Sequence, residues 1–386
     1  MKIQILTQYY TPYLDSFYLA HPNFKNLRYK EMLHLLLNQF FADTGAAHYY
    51  FNLNGNESSI IIANCELLQK KWAQETNFIY DHLNWEKEIA LAQIKYFEPD
   101  VFYIESIFSF YGKFIKEAKN YCKKVAAWIS TPFTSDLPLN DIDVIFSSTP
   151  DFVKYFNNSG ILSYYILPGF DERVLEKIEN PQSKTINFSF VGGWSDVHIN
   201  RKLLLNQFVN TTPLEIWGYG YKKNYSMKSL SFYKNYFFPD NKEILKHYHK
   251  ELWGLEMYEI LQKSLITLNV HEALLNGNVG NMRMFEATGV GTMLLNDYGN
   301  NLSQLFEIDK EIVAFKSFPE ALEKYQYYVE HPTEAIQIGL NAQKRTLRDY
   351  TFNNHVLNIS DKLKKIFLDF IILFNLNLNI EDKNKI

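Results

Sequence analysis

The chain is poor in cysteine, has no basic excess and lacks a long apolar run, and each shortage removes a class of function. Its 386 residues include two cysteines, Cys65 and Cys122. Two thiols cannot build a disulfide framework or a four-thiolate zinc site, and they read as buried cysteines in a reducing compartment. Lysine plus arginine number 39 against 43 aspartate plus glutamate, a net charge of −4. Without a basic surplus to neutralise a phosphate backbone, a nucleic-acid polymer is not an expected partner. No stretch reaches the roughly 18 apolar residues that span a bilayer. The nearest approach, Ile366 to Phe374, is interrupted by Asp369 and preceded by Lys362, Lys364 and Lys365. It reads as a closing helix packed on the body of the protein; the alternative is a helix resting on an anionic membrane surface. The opening Met-Lys-Ile-Gln-Ile-Leu-Thr-Gln alternates like a first strand and lacks the apolar core and cleavage site of a signal peptide. A cytoplasmic protein is expected, with peripheral contact at the inner face of the membrane as the alternative. No GxGxxG follows the first strand and no Walker Gly-Lys-Ser/Thr occurs, which argues against a dehydrogenase and a P-loop NTPase. No Asp-x-Asp follows a strand, and His247 and His249, two apart, fall on different helix faces. No metal site or other cofactor is therefore expected.

What is present is an ordinary globular balance, 47% hydrophobic and 21% charged, over a length that implies two or three domains. Aromatic residues are abundant at 16%, as in carbohydrate-handling surfaces and equally in well-filled cores. Short apolar runs alternate with amphipathic stretches. Strands are expected at Ile3–Leu6, Ile60–Ala63, Val101–Ile104, Val125–Ile129 and Val144–Ser147. A second series is expected at Phe188–Val191, Leu214–Trp217, Leu265–Val270, Thr292–Leu295 and Ile312–Phe315. Helical periodicity lies between them, as at Tyr29–Phe41, Trp85–Phe97, Asn200–Val209 and Met257–Lys263. Strands alternating with helices build parallel sheets from βαβ units, so the expected fold is α/β with two doubly wound, Rossmann-like domains facing across a cleft. Pro168-Gly169-Phe170-Asp171 closes the first series, and the polar run Glu176–Thr185 has the composition of a linker. The domains are therefore expected at 1–170 and 184–350, with 351–386 a final helix and tail.

The segment Asn269–Asp297 carries the most chemistry. A strand ends near Val270, a loop contains Gly277 and Gly280, and a helix starts near Asn281. A glycine loop feeding a helix N-terminus presents backbone N–H groups and the positive end of the helix dipole, which suits a diphosphate. Arg283 and Glu286, three apart, share a helix face. One suits phosphate oxygens and the other a diol such as ribose; the plainer reading is an ion pair on an ordinary helix. Gly193, Gly218 and Tyr219 end strands of the same half, His271 follows its strand directly, and His198 and Arg201 stand at a helix start. In the first half, Asp15 and His21 lie in the aromatic loop after Ile3–Leu6, and Glu105 closes the third strand.

The run Asn281-Met-Arg-Met-Phe-Glu-Ala-Thr-Gly289 resembles the nucleotide-sugar site of GT-B glycosyltransferases, in particular the spore-maturation CgeB-like group of the family 1/4-like transferases. Gly291, an apolar strand and Asp297 follow it as they do in that group. Phe190-Val-Gly-Gly193 with Arg201, Trp217-Gly-Tyr-Gly220, and the tail Arg345–Phe352 extend the likeness over roughly residues 187–355. The resemblance implies a GT-B fold whose last helix crosses back to the first domain. It also implies a metal-independent glycosyltransferase that moves a sugar from a nucleoside-diphosphate donor, such as a UDP-sugar, to a hydroxyl on a glycan, lipid-linked or protein acceptor. The setting would be glycan or surface-polysaccharide biosynthesis, or protein glycosylation. Its donor residues would be Gly193, Arg201, Gly218, Tyr219, His271, Gly280, Asn281, Arg283 and Glu286, with Asp15 and Glu105 as candidates for the catalytic base. Many retaining GT-B enzymes place a second Glu eight residues before the one matched by Glu286; position 278 is Asn, so retaining stereochemistry does not carry over. Two alternatives stay open: a nucleotide-sugar epimerase or hydrolase on the same fold, and a non-catalytic sugar-nucleotide-binding subunit.

Overall fold

In the computed structural model, which describes residues 1–179, 183–194, 199–221, 242–271 and 277–383, the apolar runs assemble into two parallel sheets. The first contains β1 (Lys2–Thr7), β2 (Glu57–Ile62), β3 (Val101–Ile104), β4 (Lys124–Trp128), β5 (Val144–Ser147) and β6 (Ser163–Tyr165), in the order β2-β1-β3-β4-β5-β6. The second contains β7 (Ile186–Val191), β8 (Glu215–Trp217), β9 (Ser264–Asn269), β10 (Met293–Asp297) and β11 (Val313–Phe315), in the order β11-β10-β9-β7-β8. Both faces of the first sheet are covered, and successive side chains divide between them. β3 sends Val101 and Tyr103 into one core and Phe102 and Ile104 into the other. That is the period of two expected of a strand buried on both faces.

Each sheet reverses direction beside its first strand. β1 pairs with β2 on one side and β3 on the other, and β7 likewise lies between β8 and β9. The carboxyl ends of strands at such a switch point leave a crevice, where open α/β sheets bind their ligands.

Five helices matter for the site: α1 (Thr11–Ala20), α2 (Tyr29–Leu37), α3 (Thr44–Leu53), α4 (Gly254–Lys263) and α5 (Met282–Gly289). A sixth, α6 (Phe352–Lys383), returns to the first domain, where Phe352, Val356, Ile359 and Leu363 pack among Tyr50, Phe51 and Ile60. The two chain crossings between the halves run side by side: Phe170 N donates to Tyr350 O at 2.8 Å and Phe352 N to Phe170 O at 2.7 Å. Tyr50 reaches across to Asp171, its hydroxyl donating at 3.3 Å.

Candidate active site between the two domains

The strand ends of both sheets open onto a cleft of 560 Å³, lined from the first domain by Gln8, Tyr10, Asp43 and Glu105. Its second-domain wall carries Gly193, Arg201, Gly218, Tyr219, Asn281, Arg283 and Glu286. A chamber of 210 Å³ lined by Asp43, Ser130, Thr149, Arg201, His271, Asn278, Gly280 and Asn281 shares several of these residues. The second-domain residues singled out in the sequence thus meet along one wall, with the exception of His198, which lies outside the described residues. Gly218 has φ 134°, and a Cβ there would sit 2.2 Å from Gly192 O, so the exit loops of β7 and β8 can close on each other only through glycine.

His271, buried at the end of β9, organises this wall. Its Nδ1 and its backbone N both meet the Asp297 carboxylate, at 2.7 and 2.8 Å. Nε2 receives the amides of Gly280 at 3.1 Å and Asn281 at 3.3 Å. With Nε2 accepting, the proton belongs on Nδ1, facing Asp297. The diphosphate reading of the glycine loop needs correction here, because those two N–H groups are directed at an imidazole. Asn281 then starts α5 as its N-cap, Oδ1 accepting from Met284 N at 3.2 Å, while its amide pairs with Asn269 at 3.0 Å.

Arg283 and Glu286 form an ion pair, Nη1 to Oε2 at 2.7 Å, with 18% and 9% of the side chains exposed. Arg283 Nε also donates to Val191 O at 3.0 Å, tying α5 to the end of β7. This is neither a surface pair nor two independent ligand groups, but a shielded pair at the edge of the cleft. Arg201 points into the same region and donates to Val270 O at 2.9 Å. Aromatic rings bridge the opening: Tyr219 stacks on Trp253 with centroids 5.6 Å apart, and Tyr10 of the first domain lies 5.6 Å from Tyr219.

A family model described as glycosyl transferase-like matches residues 200–361. No curated protein sequence matches the chain. Among solved structures, sucrose-phosphate synthase from Thermosynechococcus elongatus superposes with a TM-score of 0.58 at 8% identity, over 96% of this chain and 100% of that one. Anabaena HepE in complex with UDP and glucose gives 0.56 at 10% identity, covering 95% and 100%. A glycosyltransferase from Rickettsia africae gives 0.57 at 10%, covering 95% and 98%. The fold is GT-B.

On the first-domain side of the GT-B cleft, one of the two expected base candidates is absent. Asp15 does not line the cleft; it is exposed on α1, and the expected aromatic loop is a helix there, begun by Pro12 in its first turn. His21 caps the far end of that helix. Glu105 does line the cleft, but so do residues the sequence reading passed over. His355 of α6 donates from Nδ1 to Leu167 O at 2.7 Å, and burial pushes its pKa down to about 4.

Asp43 is the other. Periodicity extended α2 to Phe41, but the helix stops at Leu37 and the chain turns sharply, with φ 54° at Phe40 and 57° at Ala42. Such left-handed non-glycine residues cost about 1–3 kcal/mol each. The turn sends neighbouring rings into opposite domains: Phe41 stacks on Tyr13 at 3.7 Å, while Phe40 enters the second domain's core beside Leu252 and Tyr258. Gly254, φ 52°, accepts the loop; a Cβ there would lie 2.0 Å from Gln39 O. The Arg173 guanidinium, held by Asp171 at 2.6 Å, lies over the Phe40 ring at 5.1 Å. Asp43 follows immediately, and burial together with the nearby Glu286 raises its carboxyl to about 6. The signal that was present was Asp43-Thr-Gly, an N-cap composition opening α3.

Among the described residues, no group of three or more His, Cys, Asp or Glu is disposed to hold a metal, and no helix is long and apolar enough to cross a membrane.

Proposed function

We propose that the chain is a glycosyltransferase that moves a sugar from a nucleoside-diphosphate donor to a hydroxyl acceptor. The observation that carries this reading is the convergence of Arg201, His271, Arg283 and Glu286 on one wall of a GT-B cleft, within a segment matched by a glycosyl transferase-like family. The second domain binds the donor and the first binds the acceptor, a glycan, lipid-linked or protein hydroxyl. The likeness of residues 281–289 to the CgeB-like group supports a role in surface-glycan assembly or protein glycosylation.

Transfer requires stabilising the negative charge that grows on the departing diphosphate. Arg201 and Arg283 supply cationic donors, and the N-terminus of α5 adds its dipole. No resident metal is assigned to that task. HepE was solved with UDP-glucose, so UDP-sugars are the first donors to test. The deciding experiment is a donor screen reporting free nucleoside diphosphate, with and without candidate acceptors. Acceptor-dependent release supports transfer. Binding without turnover identifies a non-catalytic sugar-nucleotide-binding subunit, and release with free sugar alone identifies a hydrolase.

A further inference from the structure

Four carboxylates line the described cavities at the strand ends: Asp43, Glu105, Glu286 and Asp297. Asp297 is committed twice to His271, and Glu286 is paired with Arg283 on the donor wall. Asp43 alone among these described groups lines both the 560 Å³ cleft and the 210 Å³ chamber. It belongs to the first domain, yet Phe40 anchors its loop in the second-domain core and Gln39 abuts Gly254. Its position is therefore set relative to α4 and α5, the elements that build the opposite wall. The strained turn that sends Phe40 and Phe41 into opposite domains fixes Asp43 along with them, and strain retained beside a cleft points to a constrained position. Asn278, in the same chamber, offers only a neutral amide.

We propose that Asp43 is the acceptor-side catalytic residue, a deepening that rests on the transferase reading above. Its carboxylate takes the proton of the acceptor hydroxyl as that oxygen bonds to the anomeric carbon of the donor sugar. The bond from that carbon to the diphosphate oxygen breaks, and its electron pair leaves on the diphosphate. The products are the glycoside, the nucleoside diphosphate and a proton held by Asp43, later lost to solvent. Glu286 and Arg283 of α5, Arg201, His271, Glu105, His355 and the phenols of Tyr10, Tyr103 and Tyr219 are the charged or titrating groups that line these cavities with it. The raised carboxyl of Asp43, near pH 6, is matched to a base that works close to neutrality.

The test compares wild type, Asp43→Asn and Asp43→Glu with UDP-sugars as donors and a panel of 4-nitrophenyl glycosides as acceptors, beside calorimetric titration of UDP. The expected result for Asp43→Asn is transfer slower by about 10²–10⁴-fold with UDP affinity within about twofold of the parent. Wild-type kcat/KM should fall below about pH 6, a limb that Asp43→Asn lacks. Asp43→Glu should regain part of the rate, which a purely structural role would not predict. A protein base assists direct displacement, so the product should have an inverted anomeric centre by NMR. Parental transfer by Asp43→Asn, a retained anomeric centre, or loss of UDP affinity in both variants would overturn the assignment while leaving the transferase reading intact. A wild-type protein that neither binds nor consumes any nucleotide sugar would instead overturn that reading and the assignment with it.

Discussion

Replacing Glu286 by Gln tests the donor wall at the point where stability and binding meet. Viewed as a pair on an exposed helix face, the change would scarcely affect folding, since such pairs contribute about 0.3–0.5 kcal/mol. The pair is not exposed: Oε2 lies 2.7 Å from Arg283 Nη1, with 9% and 18% of the side chains accessible. Breaking a fully buried pair costs about 3–5 kcal/mol because one charge is left without compensation. Here the loss is smaller, because Arg283 keeps Val191 O and Gln retains an acceptor oxygen. Glu286→Gln is therefore expected to destabilise by about 1–2 kcal/mol, between the exposed and buried limits. Arg283→Ala should cost at least as much, and the double variant less than the sum, with a coupling of about 1–2 kcal/mol. Urea unfolding of the four proteins gives that cycle. UDP titration gives the second quantity, a weakening of about 1–3 kcal/mol for Glu286→Gln if the carboxylate also accepts ribose hydroxyls, or roughly 5- to 150-fold in Kd. Single variants within about 0.5 kcal/mol of the parent and a coupling near zero would refute the shielded pair. Unchanged UDP affinity would separately remove Glu286 from the donor site.

Other parts of the molecule give further outcomes. His271→Ala leaves the Gly280 and Asn281 amides and the Asp297 carboxylate without their partner, and should cost about 2–4 kcal/mol by thermal unfolding and weaken UDP binding; a neutral effect on both would refute the imidazole bridge. Gly254→Ala should destabilise and slow transfer together, because its methyl would meet Gln39 O; a variant equal to the parent in melting temperature and rate would refute the seat. His355 is lowered by burial from 6.5 to about 4, so the unfolded chain binds more protons between those values. Its contribution is complete above pH 6.5 and is lost as pH falls towards 4, about 3 kcal/mol by linkage. Asp43, raised to about 6, acts with the opposite sign over an overlapping range, so the informative quantity is the difference between wild type and His355→Gln in urea titrations at pH 7 and pH 5. Transfer should survive EDTA, and activity lost to the chelator and restored by Mn²⁺ would refute metal-independent handling of the diphosphate.

The sheets were legible because their signal is local. Val101–Ile104 and Val144–Ser147 coincide with β3 and β5, and the second-half strands fall within a residue or two of the expected runs. β6, the three residues Ser163–Tyr165, was not read, being too short and too polar to stand out as an apolar run. α1 stands where an aromatic loop was expected, and its Pro12 is well placed in a first helical turn. The donor wall was legible for a related reason: strand end, glycine loop and helix start are contiguous between Asn269 and Asp297. The first-domain side is assembled by tertiary packing. Asp43 and Glu286 are 243 positions apart, and helical periodicity carried past Leu37 concealed the turn that brings the first to the second. Likewise, spacing alone does not reveal that His271 would take the loop amides for itself.

The return of α6 to the first domain has a consequence for how the polypeptide is made. During synthesis the first six strands leave the ribosome well before Val356, Ile359 and Leu363, which complete their core. Until then the nascent domain carries an open apolar seam beside Tyr50 and Phe51. The second sheet, from β7 to β11, is drawn from one uninterrupted stretch, and the later residues that complete its core, Ala321, Tyr325, Ala335 and Ile338, all precede the closing helix. Domains emerging first usually fold first; here the earlier one must wait for the later. Chaperone capture and protease sensitivity should therefore concentrate on the amino-terminal half and end abruptly as the closing helix docks, which pulse proteolysis of stalled nascent chains would register. A chain interrupted just short of Phe352 would release a folded second domain tethered to an unfinished first.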